Sequence, residues 1–194
     1  MPRLPVQVWW ADLTAVDRRL RDVVSASELA RADNYVSAAD RGRSLLGAAL
    51  LRLAAATELG IEPGDVEVAR CCEECGGEHG RPRVAGVELS LSHAGVLTVV
   101  AAARLPVGVD VERDADVPTG KTAADWTAKE AKTKLGDDAA NSPVEMLQLA
   151  TPRPGYTASL AVAAGEPIEL SERNANAELA RIAAAAASRD VEGR

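Results

Sequence analysis

Residues 6–11, opening Val6-Gln7-Val8-Trp9-Trp10, have the β-branched and aromatic character of a strand, and Asp12 follows as a cap for a helix expected over 12–21. Residues 25–59 read as helical. Ser25-Ala26-Ser27-Glu28 resembles a capping box, and Leu45, Leu46, Ala49, Leu50 and Leu53 recur at helical spacing until Gly60. Two helices joined near 38–40 are expected there.

A loop rich in Gly, Cys and Glu covers 70–80, after which Glu88-Leu89-Ser90-Leu91-Ser92-His93 alternates as a strand does and Gly95 turns it. Residues 97–103 form a continuous apolar strand, Pro106-Val107-Gly108 a short turn, and 109–112 another strand, together a meander with a charged rim. A helix is expected over 125–135, ended by Gly136, and a closing hairpin from 156–163 and 168–170. The Ala-rich stretch 175–187 favours helix but offers a thin apolar face, so it reads either as a terminal helix or as a frayed extension. The expected division is an N-terminal half over 1–104, a C-terminal half over 105–170 and a tail over 171–194.

Composition narrows the class. The 194 residues are 47% hydrophobic, enough to bury a substantial core, and with no Phe that core must be aliphatic. No apolar run approaches the roughly 20 residues of a membrane helix, so a cytoplasmic protein with no membrane partner is expected. A net charge of −7 argues against a nucleic-acid binder. Cys71, Cys72 and Cys75 stand together, which is no disulfide framework and suits a reducing compartment.

The candidate chemistry is acidic. Asp110 and Glu112, two apart in a strand, leave the same face and can converge on one hard cation such as magnesium, although a solvent-facing strand with two ordinary acids has the same pattern. Glu130 and Lys134 share one helical face, as an ordinary ion pair would. Ser92 and His93 end a strand, where hydroxyl and imidazole can donate to phosphate oxygens or simply satisfy a turn and a carbonyl. Neither Ser90 nor Ser92 lies in a Gly-x-Ser-x-Gly elbow, which removes the support for serine hydrolase chemistry.

Taken in order, Gly80-Arg81-Pro82, Leu91-Ser92-His93, Gly108-Val109-Asp110-Val111-Glu112 and Trp126-Thr127-Ala128-Lys129-Glu130-Ala131 with Lys134 resemble the signature of the phosphopantetheinyl transferases of the surfactin-synthetase-activating type. Arg31, Asp40-Arg41 and Arg43-Ser44-Leu45-Leu46-Gly47 resemble that family's coenzyme-facing helix, so the likeness runs over about 6–170. The resemblance implies an α+β (α/β) fold of two similar halves forming a pseudo-dimer, most simply a monomer, with coenzyme A lying across the junction. It implies a magnesium site of Asp110, Glu112 and Glu130. His93 and Lys129 would touch the coenzyme's phosphates, Ser92 would help hold it, and Arg31, Ser44 and Arg81 would meet the adenosine end and its 3′-phosphate.

The implied reaction moves 4′-phosphopantetheine from coenzyme A to a serine of an apo acyl or peptidyl carrier protein, with Glu130 as base and Lys134 beside the departing phosphate. Two segments, 113–125 and 137–155, are shorter than in the family. A shortened, inactive homologue that binds coenzyme A or a carrier is therefore the alternative. A second alternative is a zinc-binding module, since Cys72, Cys75 and His79 have zinc-like spacing, with a reduced cysteine loop as the plainer reading.

Overall fold

Alternation at the start of the chain becomes strand β1 (Leu4–Asp12), whose two faces enter different cores. Val6, Val8 and Trp10 point one way, Trp9 and Ala11 the other, as the period of two requires. A computed structural model of the chain describes residues 3–72, 75–77, 80–136, 139 and 142–192.

The helix expected over 12–21 does not form. Asp12 accepts from the Thr14 amide and Asp17 from the Arg19 amide, so each aspartate starts its own short 3-10 turn, Leu13–Ala15 and Arg18–Asp22. Only Leu20 is buried there, which leaves no apolar stripe to carry a longer helix. The capping box does form: the Glu28 amide donates to Ser25 Oγ and the Ser25 amide to Glu28 Oε2, opening α1 (Ala26–Asp33). Helix α2 (Ala38–Leu59) starts at the Ser37 cap, buries Leu45 through Ala56, and stops at Gly60, whose φ of 70° suits glycine.

Strands β2 (Glu88–Ala94) and β3 (Leu97–Ala103) form an antiparallel pair, and β3 continues antiparallel onto β1. The expected meander ends there. Strand β4 (Val107–Arg113) begins a second sheet instead. Its partners, beyond helix α3 (Ala123–Leu135), are β5 (Val144–Gln148) and β6 (Tyr156–Ala163), in the order β4-β6-β5. The expected closing hairpin is also replaced. Strand β7 (Ile168–Asn174) crosses to the free edge of β1 and pairs with it in parallel, completing a four-stranded sheet β2-β3-β1-β7. That pairing satisfies an edge that would otherwise expose its backbone. The Ala-rich tail is helix α4 (Asn176–Glu192), anchored by Ala175, Leu179 and Ala183 in the core with α2.

Three apolar clusters reveal the layering. One joins α2 and α4 to the first sheet through Leu46, Leu50, Trp9 and Val100. A second lies between the sheets, where Val8, Val99 and Ala101 meet Val109, Leu160 and Val162. The third packs Ala131 and Leu135 of α3 on Ala161 and Ala163 of β6. The result is a helix, sheet, sheet, helix stack, a mixed α+β architecture with four α-helices and two sheets among the described residues. No helix among the described residues is long and apolar enough to cross a membrane.

Candidate functional site

The site forms where the edge strand of the first sheet meets the edge strand of the second. Ser90 and Ser92 alternate onto one face of β2. Ser90 Oγ accepts from the Val109 amide at 3.0 Å, and Ser92 Oγ donates to Asp110 Oδ1 at 2.8 Å, so side chains rather than a backbone ladder couple β2 to β4. Arg81 braces the same junction, donating to the carbonyls of Leu135, Leu89 and Val107.

Helix α3 is held against β4 at Gly108. A Cβ there would collide with the Ala131 carbonyl oxygen, so this position of the Gly-Val-Asp-Val-Glu segment has to be glycine for the helix to come so close. Thr127, Ala131 and Leu135 form the buried face of α3, and Thr127 Oγ1 shares a 2.8 Å hydrogen bond with Ser159 Oγ. Trp126, Glu130 and Lys134, four apart, then share the face toward β4.

One cleft of about 350 Å³ gathers these parts, lined by Leu91, Ser92, His93, Asp110, Glu112, Trp126, Glu130 and Lys134. A neighbouring cavity of about 200 Å³ is walled by Glu28, Arg31, Tyr35, Asp40, Arg43, Ser44 and Arg70, and Leu91 and His93 line both. Adjoining at Leu91 and His93, the two make a trough in which Asp110, Glu112 and Glu130 line one part and Arg31, Arg43 and Arg70, together with Glu28 and Asp40, line the other.

Lys134 Nζ does not pair with Glu130. It donates to Asp110 Oδ1 at 2.8 Å and to the Val109 carbonyl at 3.1 Å. Asp110 Oδ1 thus takes two donors, while its buried Oδ2 has no hydrogen-bond partner. Burial, and next the Asp110 charge, raise the Glu112 carboxyl above its ordinary range, opposed by a hydrogen bond with Trp126 and by Lys134. His93 is exposed, yet desolvation by the protein around it, then the charges of Arg43 and Lys134, lower its pKa.

An unpartnered buried carboxylate oxygen beside a second carboxylate is the oxygen donor set that a magnesium ion takes, since that ion needs only one or two protein carboxylates. Asp110 and Glu112 fit it. Glu130, expected as a third ligand, lines the same cleft. However, among the described residues no three His, Cys, Asp or Glu side chains already form a metal-binding group.

In comparisons with known proteins, no family model and no curated sequence matches the chain.

The trough holds most of the residues singled out from the sequence, with three exceptions. Arg81 lies outside both cavities and spends its guanidinium on the three carbonyls above. Lys129 is exposed, with Nζ 5.2 Å from the centre of the Trp126 ring and 3.9 Å from Glu130 Oε1, and does not line the cleft. Cys71 and Cys75 are exposed and the Gly76 amide closes a turn on the Cys72 carbonyl, while His79 of the zinc-like spacing lies outside the described residues. Conversely, Tyr35 and Arg70 line the trough without belonging to any motif, and Glu28, legible in the sequence only as part of the capping box, lines it too.

Proposed function

We propose that the chain is a 4′-phosphopantetheinyl transferase, a holo-[acyl-carrier-protein] synthase, which moves 4′-phosphopantetheine from coenzyme A to a serine of an apo acyl or peptidyl carrier protein. In this reading it is a magnesium-dependent monomer of the cytoplasm, built on two similar α/β halves. One observation carries the proposal. Ser92 and His93, Asp110 and Glu112, and Glu130 and Lys134, from three segments distant in sequence, line one cleft that adjoins a cavity bearing Arg31, Arg43 and Arg70. Such a trough suits a ligand with a pyrophosphate in its middle and a phosphorylated nucleoside at one end.

The arrangement supports an in-line phosphoryl transfer. Asp110 Oδ2 and the Glu112 carboxylate would hold magnesium, which supplies charge neutralisation on the pyrophosphate when bound. Ser92 and Lys134 keep Asp110 oriented through Oδ1. Glu130 takes the proton from the carrier serine. The serine oxygen bonds to the β-phosphorus as the bond from that phosphorus to the bridging oxygen breaks, and adenosine 3′,5′-bisphosphate departs with that oxygen. Lys134 keeps positive charge beside the departing group, and the His93 imidazole donates to a phosphate oxygen.

The test is to incubate the protein with magnesium, coenzyme A and a panel of apo carrier proteins and to weigh the carriers. Addition of one phosphopantetheine supports the proposal. A second reading, a homologue that binds coenzyme A without transferring, rests on the short stretches 113–125 and 137–155. Coenzyme A binding with no gain on any carrier supports that reading instead.

A further inference from the structure

His93 stands where the two cavities adjoin, so its place depends on where β2 ends. That strand has a backbone ladder to β3 on one edge and turns back at Gly95 and Val96, just past the imidazole. Toward the second sheet it is tied by side chains in series. Arg81 reaches the Leu89 carbonyl, Ser90 the Val109 amide and Ser92 the Asp110 carboxylate. At the turn itself, the Val96 amide donates to the hydroxyl of Tyr156 at 3.2 Å.

Tyr156 belongs to no motif. It opens β6 opposite Arg113 of β4, and its ring packs against the apolar cluster between the sheets. A Cβ on Gly95 would collide with the Tyr156 hydroxyl and would lie 2.7 Å from Arg113 Cδ, so glycine at the turn is what lets the tyrosine come so close. The first half of the chain grips the same turn. Arg43 Nη1 donates to the Gly95 carbonyl at 2.8 Å while Nη2 pairs with Asp40, and the Val96 carbonyl accepts from the Leu13 amide at 3.0 Å. Arg43 thus ties the turn to helix α2, and Tyr156 ties it to the sheet that carries Asp110 and Glu112. A pyrophosphate that met the imidazole and the carboxylates together would depend on how the two sheets hold that turn between them.

Resting on the transferase reading, we propose that Tyr156 is a positioning residue for His93: its hydroxyl fixes the Gly95-Val96 turn against the second sheet and so holds the imidazole where it meets a phosphate of coenzyme A.

The test is a double-mutant cycle, read by calorimetric titration of the full chain with coenzyme A in the presence of magnesium, in the wild type, Tyr156→Phe, His93→Ala and the double variant. Tyr156→Phe keeps the ring and removes the acceptor of the Val96 amide. It is expected to weaken coenzyme A by about three- to ten-fold, the range of one hydrogen bond, and to weaken it less or not at all once His93 is replaced. A purely structural role would weaken coenzyme A by the same factor in both backgrounds. Equal factors in the two backgrounds, or no weakening by Tyr156→Phe alone, overturn the inference and leave the transferase reading standing. If Tyr156→Phe does not fold, Gly95→Ala, which displaces the turn from the same hydroxyl, goes through the same cycle and is judged by the same two outcomes. Failure of the wild type to bind coenzyme A overturns the transferase reading and this inference with it.

Discussion

Ser92 Oγ donates a 2.8 Å hydrogen bond to Asp110 Oδ1, and both residues are buried. This bond joins β2 of the first sheet to β4 of the second and fixes the carboxylate whose other oxygen is buried without a partner. Ser92→Ala should keep the fold and lose about 1–3 kcal/mol of stability, the cost of stripping a hydrogen bond from a buried charged acceptor. Urea denaturation measures it. An unchanged midpoint would mean that the bond contributes nothing to the coupling of the sheets.

Gly108 makes a second prediction. Because a Cβ at this position meets the Ala131 carbonyl, Gly108→Ala must push α3 away from β4. The expected loss is about 1–3 kcal/mol, as for other overpacked sites. Transfer activity should fall further than stability, since Glu130 and Lys134 ride on the displaced helix. Full activity in that variant would show that the seating of α3 does not position the site.

His93 supplies a pH dependence. Its folded-state pKa lies below the ordinary 6.5, so on acidification the unfolded chain takes up this proton before the folded one. The contribution of His93 to stability is therefore complete above about pH 6.5 and is lost as pH falls through the lower folded value. Between about pH 7.5 and 5.5, the wild type should lose more stability than His93→Asn. An NMR titration of the imidazole checks the cause directly, and a midpoint at or above the ordinary value would contradict it.

Local patterns made much of this arrangement legible. The Ser25 to Glu28 capping box, the alternation of β2, the apolar run of β3, and the Gly-ended α3 each depend on neighbours in sequence. Elements set by distant partners were not legible. Strand β7 has the composition of a hairpin arm, and only the open edge of β1 draws it into parallel pairing. Residues 12–22 contain helix formers, but Asp12 and Asp17 each capture an amide two residues on and split the segment.

The same division holds for the site. Asp110, Glu112, Glu130 and Lys134 were readable from strand and helix periods, because spacing alone sets their common faces. Neither the bracing of β2, β4 and α3 by Arg81 nor the place of Arg70 in the cavity wall was, because carbonyls and side chains distant in sequence set both.

The most direct test of the account is the rate at which Asp110→Asn transfers phosphopantetheine to an apo carrier protein with coenzyme A and magnesium, set against the wild type. The substitution keeps the size of the side chain and an oxygen for Ser92, and removes the charge that the site requires for a cation. The account predicts measurable, magnesium-dependent transfer by the wild type and a loss of at least about a hundred-fold in the variant, with its fold retained by circular dichroism. Wild-type turnover that survives excess chelator, or a folded Asp110→Asn that transfers at the wild-type rate, would contradict it.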